Sequence, residues 1–130
     1  ISEAFTRKFV AAVGELKTGD PLDASTDVGP LISRSDVDRV DSWVREAVDG
    51  GAELLCGGHK LSDTTYAPTV LRNPPADAKV SRQEIFGPVV ALYTYDDLDE
   101  AIERANAPDV FFQASIFTRD LDTAFSRSLI

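Results

Sequence analysis

Few residues in this chain could do chemistry. Cys56 is the sole cysteine and His59 the sole histidine among 130 residues. A catalytic thiolate needs an electropositive, accessible setting, such as a helix N-terminus or a neighbouring base. Cys56 instead ends the apolar run Leu54-Leu55-Cys56 and reads as a packing cysteine. His59 follows Gly57-Gly58 in a polar connection and reads as exposed. Without a second histidine or a serine elbow, no hydrolytic triad can be assembled. One Cys and one His cannot build a structural zinc site, and no carboxylates fall at a calcium-loop spacing. The expectation is no metal and no catalytic residue.

Gln83-Glu84-Ile85-Phe86-Gly87-Pro88-Val89 differs in kind. A carboxylate and an aromatic ring stand two residues apart, followed by Gly-Pro, just ahead of a strongly apolar run. A carboxylate can accept both hydrogen bonds of a ribose diol, and an aromatic face can line a planar heterocycle. Gly87 permits close backbone approach, and Pro88 restrains the entry into the apolar run. A capped turn before a strand would use similar residues, so the pattern alone leaves both readings open.

The elements that must position these residues emerge from periodicity. Over residues 2–16, Phe5, Phe9, Ala12, Val13 and Leu16 recur at steps of three and four, an amphipathic helix stopped by Gly19-Asp20-Pro21. Residues 17–33 hold no period and predict a long loop, a type often functional inside compact domains. A second helix begins at Ser33 or Ser35, carries Val37, Val40, Val44, Ala47 and Val48, and ends at Gly50-Gly51. Residues 53–56 predict a strand. Residues 66–71 predict another, placed at a sheet edge by Pro68. A Pro-rich turn over 73–77 and a helical turn over 81–84 precede the strongest strand, 89–95, whose apolar run suits a buried parallel position. Residues 97–106 predict a helix with Asp97 and Glu100 at capping-box spacing, 114–118 a further buried strand, and Asp120 the cap of a last helix. Strand and helix alternate in the back half, which implies an α/β fold with a parallel sheet.

Composition narrows the class further. Apolar residues make up 43%, and no run approaches the roughly 18 that a membrane span needs. Thirteen basic against 22 acidic residues give a net charge of −9, which opposes phosphate-backbone binding. One cysteine and no leader pattern make the cytoplasm the expected compartment. The chain opens at Ile1 and closes at Ile130 within helical patterns, so it is expected to be a segment of a longer protein.

Glu84-Ile85-Phe86-Gly87-Pro88-Val89 resembles the cofactor-side motif of the aldehyde dehydrogenase superfamily. The likeness extends, in the family's order, through several further segments. These are Gly19-Asp20-Pro21, Thr26-Asp27-Val28-Gly29-Pro30-Leu31-Ile32, Gly51-Ala52-Glu53-Leu54-Leu55-Cys56-Gly57-Gly58 and Tyr66-Ala67-Pro68-Thr69-Val70-Leu71. Asp99-Glu100-Ala101-Ile102, Ala105-Asn106 and Gln113-Ala114-Ser115-Ile116-Phe117-Thr118 complete it, so that it runs from about Phe5 to Leu121.

This resemblance implies residues 1–130 of a Rossmann-like catalytic domain, downstream of the nucleophilic cysteine. It implies NAD or NADP as cofactor, a small aldehyde as substrate and a homodimeric or homotetrameric parent; the charge and the short apolar runs set the further expectation of no nucleic acid and no membrane partner. In such enzymes a cysteine thiolate adds to the aldehyde, hydride passes to the nicotinamide, and glutamate-activated water releases the acid. By similarity, Glu84 binds the nicotinamide-ribose hydroxyls and Phe86 packs beside that end of the cofactor. The nucleophile, base and oxyanion-hole asparagine would precede Ile1, so the segment alone is expected to be inactive. Val110-Phe111-Phe112 departs from the aromatic-Gly-Leu of many relatives and hints at branches acting on small anionic or oxidised C2–C3 aldehydes. Two other readings stand beside this one: a catalytically inactive relative with a structural or binding role, and an acyl-phosphate reductase using NADPH.

Overall fold

The strongest periodic stretch becomes the helix around which the rest is built. The computed structural model describes residues 1–107 and 113–126; Val110, Phe111 and Phe112 lie outside them. Helix α1 spans Ser2–Gly14 and helix α2 spans Arg34–Asp49. Ser33 caps α2: its side chain accepts from the Asp36 amide at 3.3 Å, satisfying one of the free N–H groups of the first turn. Val37, Val40, Val44 and Ala47 recur at steps of three and four and are all buried, whereas Val48 sits at the stripe's margin, 36% exposed. Each buried valine of this stripe contributes about 1.5–3 kcal/mol relative to leaving it in water.

Strands β1 (Glu53–Cys56), β2 (Thr69–Arg72) and β3 (Val89–Leu92) form one sheet in the order β1-β2-β3. A one-turn helix α3 (Lys79–Arg82) precedes β3, two residues earlier than expected. The sheet is mixed rather than parallel: β2 and β3 run parallel, but β1 and β2 are antiparallel. The cause is the connection over residues 57–68. An antiparallel bridge between Lys60 and Tyr66, with the Leu61 and Ser62 amides donating to the Thr65 carbonyl at 2.9 and 3.2 Å, folds it back as a hairpin-like arm. β2 therefore returns alongside β1.

The register shifts between Leu54 and Cys56, and at this irregularity Gly57 takes φ +73°. A Cβ there would stand 2.2 Å from the Pro68 carbonyl oxygen, so no other residue fits. β2 is the central strand, not an edge. Pro68 precedes its first residue and withholds no ladder donor, and the Thr69 amide instead donates to the Pro88 carbonyl at 2.8 Å.

Tyr66 and Leu71 are fully buried against the α2 stripe, making the core with Ala52 and Ala78; Val70 is fully buried too, but outside this cluster. Asp41 is buried on the same helix; Arg45 pairs with it at 3.1 Å and the Tyr66 hydroxyl donates to it at 3.4 Å. β3 is shorter than expected and only half-buried, with Val90 exposed, because β2 is its one described neighbour.

α1 turns its apolar stripe away from the core: Phe5 is 54% exposed and Leu16, just beyond the helix, 41%, although the Phe5 and Phe9 rings stack at 5.6 Å. The buried residue is Thr6. α1 meets β1 through the face bearing Glu3, and Arg72 of β2 bridges Glu3 at 3.2 Å while also pairing with Glu53.

Residues 1–94 form one compact unit and 95–130 a second. In the second, helix α4 (Leu98–Asn106) is capped by Asp97, whose carboxylate accepts from the Asp99 and Glu100 amides. Helix α5 (Leu121–Ser126) is capped by Asp120 through the Thr123 amide at 2.7 Å. The expected strand over 114–118 is not formed. Ile116 and Phe117 are exposed there, and a strand exists only where another pairs with it. No helix of the described residues is long and apolar enough to cross a membrane.

Candidate functional site

The segment carrying Glu84 and Phe86 is a short loop between α3 and β3, laid across α2. Gln83 ends α3 in an extended conformation, so Glu84 lies beyond the helical turn. Pro88 leads into β3, and the Val89 amide donates to the Gly87 carbonyl at 2.8 Å, tightening the last turn of the loop. Gly87 lies against the helix: a Cβ built on it would stand 2.9 Å from Val40 Cγ2. Phe86 adopts φ +43°, a left-handed conformation that a bulky residue holds only when its surroundings impose it. Phe86 is 71% exposed, and Glu84 is exposed beside it. Among the described residues, the Glu84 carboxylate enters no hydrogen bond or ion pair.

Both residues line an open cleft of about 720 Å³. Its other walls are the loop over residues 28–32 and one face of α2 carrying Asp36, Arg39 and Trp43. The spacing of those three, i, i+3 and i+7, is that of a single helical face. The 28–32 wall is held from both sides. Thr18 and Val28 form a parallel bridge, the Lys17 carbonyl accepts from the Asp27 and Val28 amides, and the Leu31 amide donates to the Thr64 carbonyl at 2.7 Å. The long loop expected between the first two helices is thus closed and pinned, and its far end forms a wall of the cleft.

Arg39 sits at the centre of the α2 face. One guanidinium nitrogen donates to the Ile85 carbonyl at 2.8 Å, and another pairs with Asp36 at 3.4 Å. Its Cζ lies over the Trp43 ring, 4.9 Å from the centroid, within cation–π range. The Ser33 hydroxyl donates to the other Asp36 oxygen at 2.6 Å. That hydrogen bond, and then Arg39, hold the Asp36 carboxyl below the usual carboxylate range.

The structure therefore brings Glu84 and Phe86 together, and adds Asp36, Arg39 and Trp43, which sequence reasoning passed over. Their signal was present: a polar and aromatic set at helical spacing beside the valine stripe. Exposed helix faces carry such residues routinely, so the spacing alone did not mark a site. Cys56 is half-buried in β1, its Sγ 3.9 Å from the Pro68 carbonyl, and does not line the cleft. His59 is exposed, with Nδ1 3.0 Å from the Gly57 carbonyl. No group of three or more metal-binding side chains occurs among the described residues.

Residues 1–128 match the model of the aldehyde dehydrogenase family. The chain is 44% identical over 124 residues to a 3-sulfolactaldehyde dehydrogenase of Priestia megaterium, covering 95% of this chain and 26% of that protein. It is 43% identical over 122 residues to an NADP(+) succinate-semialdehyde dehydrogenase of Mycolicibacterium paratuberculosis, covering 92% and 26%. Among solved structures, aldehyde dehydrogenase 21 from Physcomitrella patens, in complex with the reaction product succinate, superposes with a TM-score of 0.92 at 41% identity. That superposition covers 97% of this chain and 26% of the plant enzyme. A glyceraldehyde-3-phosphate dehydrogenase from Methanocaldococcus jannaschii, complexed with NADP, gives 0.91 at 33%, covering 98% and 27%. The chain spans about a quarter of the length of these relatives, and the small α/β unit with its mixed sheet matches part of their structures. By sequence and by fold, this chain belongs to the aldehyde dehydrogenase family.

Proposed function

We propose that this chain is the segment of an NAD(P)-dependent aldehyde dehydrogenase that contacts the nicotinamide half of the cofactor, downstream of the nucleophilic cysteine in a Rossmann-like catalytic domain. One observation carries the reading: Glu84 and Phe86 share a cleft wall, one with a carboxylate unpaired among the described residues and the other exposed. The residues fit the group. A carboxylate that pairs with none of the described residues has acceptors to spare for two ribose hydroxyls, and an exposed ring offers a flat apolar surface to a heterocycle. The cleft also falls within the roughly 300–1,000 Å³ of small-molecule sites. When bound, the cofactor supplies a hydride acceptor. Glu84 would orient its ribose, and Phe86 would exclude water from one side of it.

Relatives described as 3-sulfolactaldehyde and succinate-semialdehyde dehydrogenases support a small anionic aldehyde as the parent's substrate. The Val110-Phe111-Phe112 departure agrees with that. A cytoplasmic homodimeric or homotetrameric parent rests on the family resemblance alone.

The test is Glu84→Gln in the enzyme that carries this segment. The substitution keeps the shape but removes the charge and one acceptor. Exchanging a charged for a neutral hydrogen bond costs about 1–2 kcal/mol, a loss of roughly five- to thirtyfold in NAD(P) affinity or hydride-transfer rate. The melting temperature should hold, because Glu84 is exposed and takes no part in the core. A destabilised variant with unaltered cofactor kinetics would mean that Glu84 is a structural residue and would refute the assignment.

A further inference from the structure

The Glu84–Phe86 loop does not hold its own shape. It is short, both functional side chains are exposed, and Phe86 sits in a left-handed conformation. The restraint comes from α2 at two adjacent points. Gly87 rests on Val40, and the Ile85 carbonyl accepts from Arg39. Ile85 lies between the two cofactor-contact candidates, and its carbonyl belongs to the peptide plane that joins it to Phe86, so holding that carbonyl fixes the plane leading into Phe86.

Arg39 is equipped for this work. Asp36 takes a second guanidinium nitrogen, Ser33 locks Asp36, and the Trp43 ring supports the guanidinium plane. A planar fork held at two points presents its remaining donor in one direction. Lysine, a point charge on a flexible stem, could not satisfy all three contacts together.

We propose that Arg39 is a positioning residue, its guanidinium clamping the Ile85 carbonyl so that Glu84 and Phe86 are held at the cleft. The clamp itself stands on geometry alone, while its bearing on cofactor binding rests on the reading that these two residues contact the nicotinamide half.

Amide hydrogen exchange on the full 130-residue chain tests the clamp directly. In Arg39→Ala, the Val89 amide, which closes the loop on the Gly87 carbonyl, should exchange roughly ten- to hundredfold faster, the range one charged hydrogen bond commands. Amides of Val44 and Val70 should be unchanged. Arg39→Lys should recover only part of the protection, and it also serves as the folded comparison if the alanine variant is unstable. NAD+ and NADP+ titrations of Arg39→Ala and Glu84→Gln in the enzyme that carries this segment form a second arm. Faster loop exchange with weakened binding in both variants supports the clamp and its role at the cofactor. Faster exchange with binding unaltered in both keeps the clamp and removes the cofactor reading. Unchanged loop exchange overturns the clamp, and if binding is nonetheless lost, Arg39 touches the ligand itself.

Discussion

Replacing Gly87 with alanine tests whether the functional loop is seated on α2 as described. Gly87 does not have a positive φ, so backbone conformation alone would accept alanine. On that ground the substitution should stabilise the chain by about 0.4–1 kcal/mol, through the lower entropy of the unfolded state. The packing reverses the sign. The new Cβ would lie 2.9 Å from Val40 Cγ2, where an ordinary carbon contact is about 3.5–4.0 Å, so something must yield by about 0.6 Å or more. Val40 cannot yield cheaply, being β-branched, fully buried and central to the stripe of α2. Overpacking of this kind costs about 1–3 kcal/mol. Val40→Ala alone removes two buried methyl groups, costing about 1.6 kcal/mol before any cavity term. In the double variant the alanine methyl enters the space that the valine vacates. The combined loss should then fall short of the sum of the single losses by about 1–2 kcal/mol. Urea unfolding of the four proteins, with the slope unchanged across them, measures this coupling. Additivity within about 0.5 kcal/mol, or a stabilised Gly87→Ala, would show that the loop does not rest on Val40.

Two further outcomes are expected from the same structure. Ser33→Ala should cost about 1 kcal/mol through loss of the α2 cap, and should also loosen Asp36, whose second oxygen Ser33 holds; a thermal melt unchanged from the parent would contradict the cap geometry. Burial, and then the charge of Asp41, push the Tyr66 phenol above its ordinary value of 10.0. A raised folded pKa stabilises the fold fully below the unfolded value and progressively less as pH rises beyond it, so the chain should lose stability above about pH 10. Tyr66→Phe should flatten that alkaline decline while costing about 0.5–1.5 kcal/mol at neutral pH, and an unchanged alkaline decline in melting temperature would count against the assignment.

Much of this architecture is local in origin, and the sequence by itself determined that part. The valines of α2 recur at helical spacing, and Ser33, Asp97 and Asp120 each stand where a first turn needs an acceptor. β1 falls where an apolar run lies between Gly50-Gly51 and Gly57-Gly58. These features depend on neighbours within a few residues, and so does the segment 83–89, whose unusual combination of side chains is visible in the chain alone.

Tertiary structure decided what depends on distant partners. The direction of β2 against β1 was set by a hairpin-like arm whose bridge between Lys60 and Tyr66 no periodicity announces. β2 became central because β3 pairs on its other side, and Pro68, which suggested an edge, falls just outside the ladder. The apolar stripe of α1 is amphipathic by spacing yet exposed, since a helix pattern reports which face is apolar and not what covers it. Residues 114–118 have strand-forming side chains but form no strand, because pairing is a property of two segments and not of one. The cleft is of this second kind. Asp36, Arg39 and Trp43 join Glu84 and Phe86 only because a loop distant in sequence, with Ile85 46 residues beyond Arg39, lies across α2, where a glycine lets the two backbones approach.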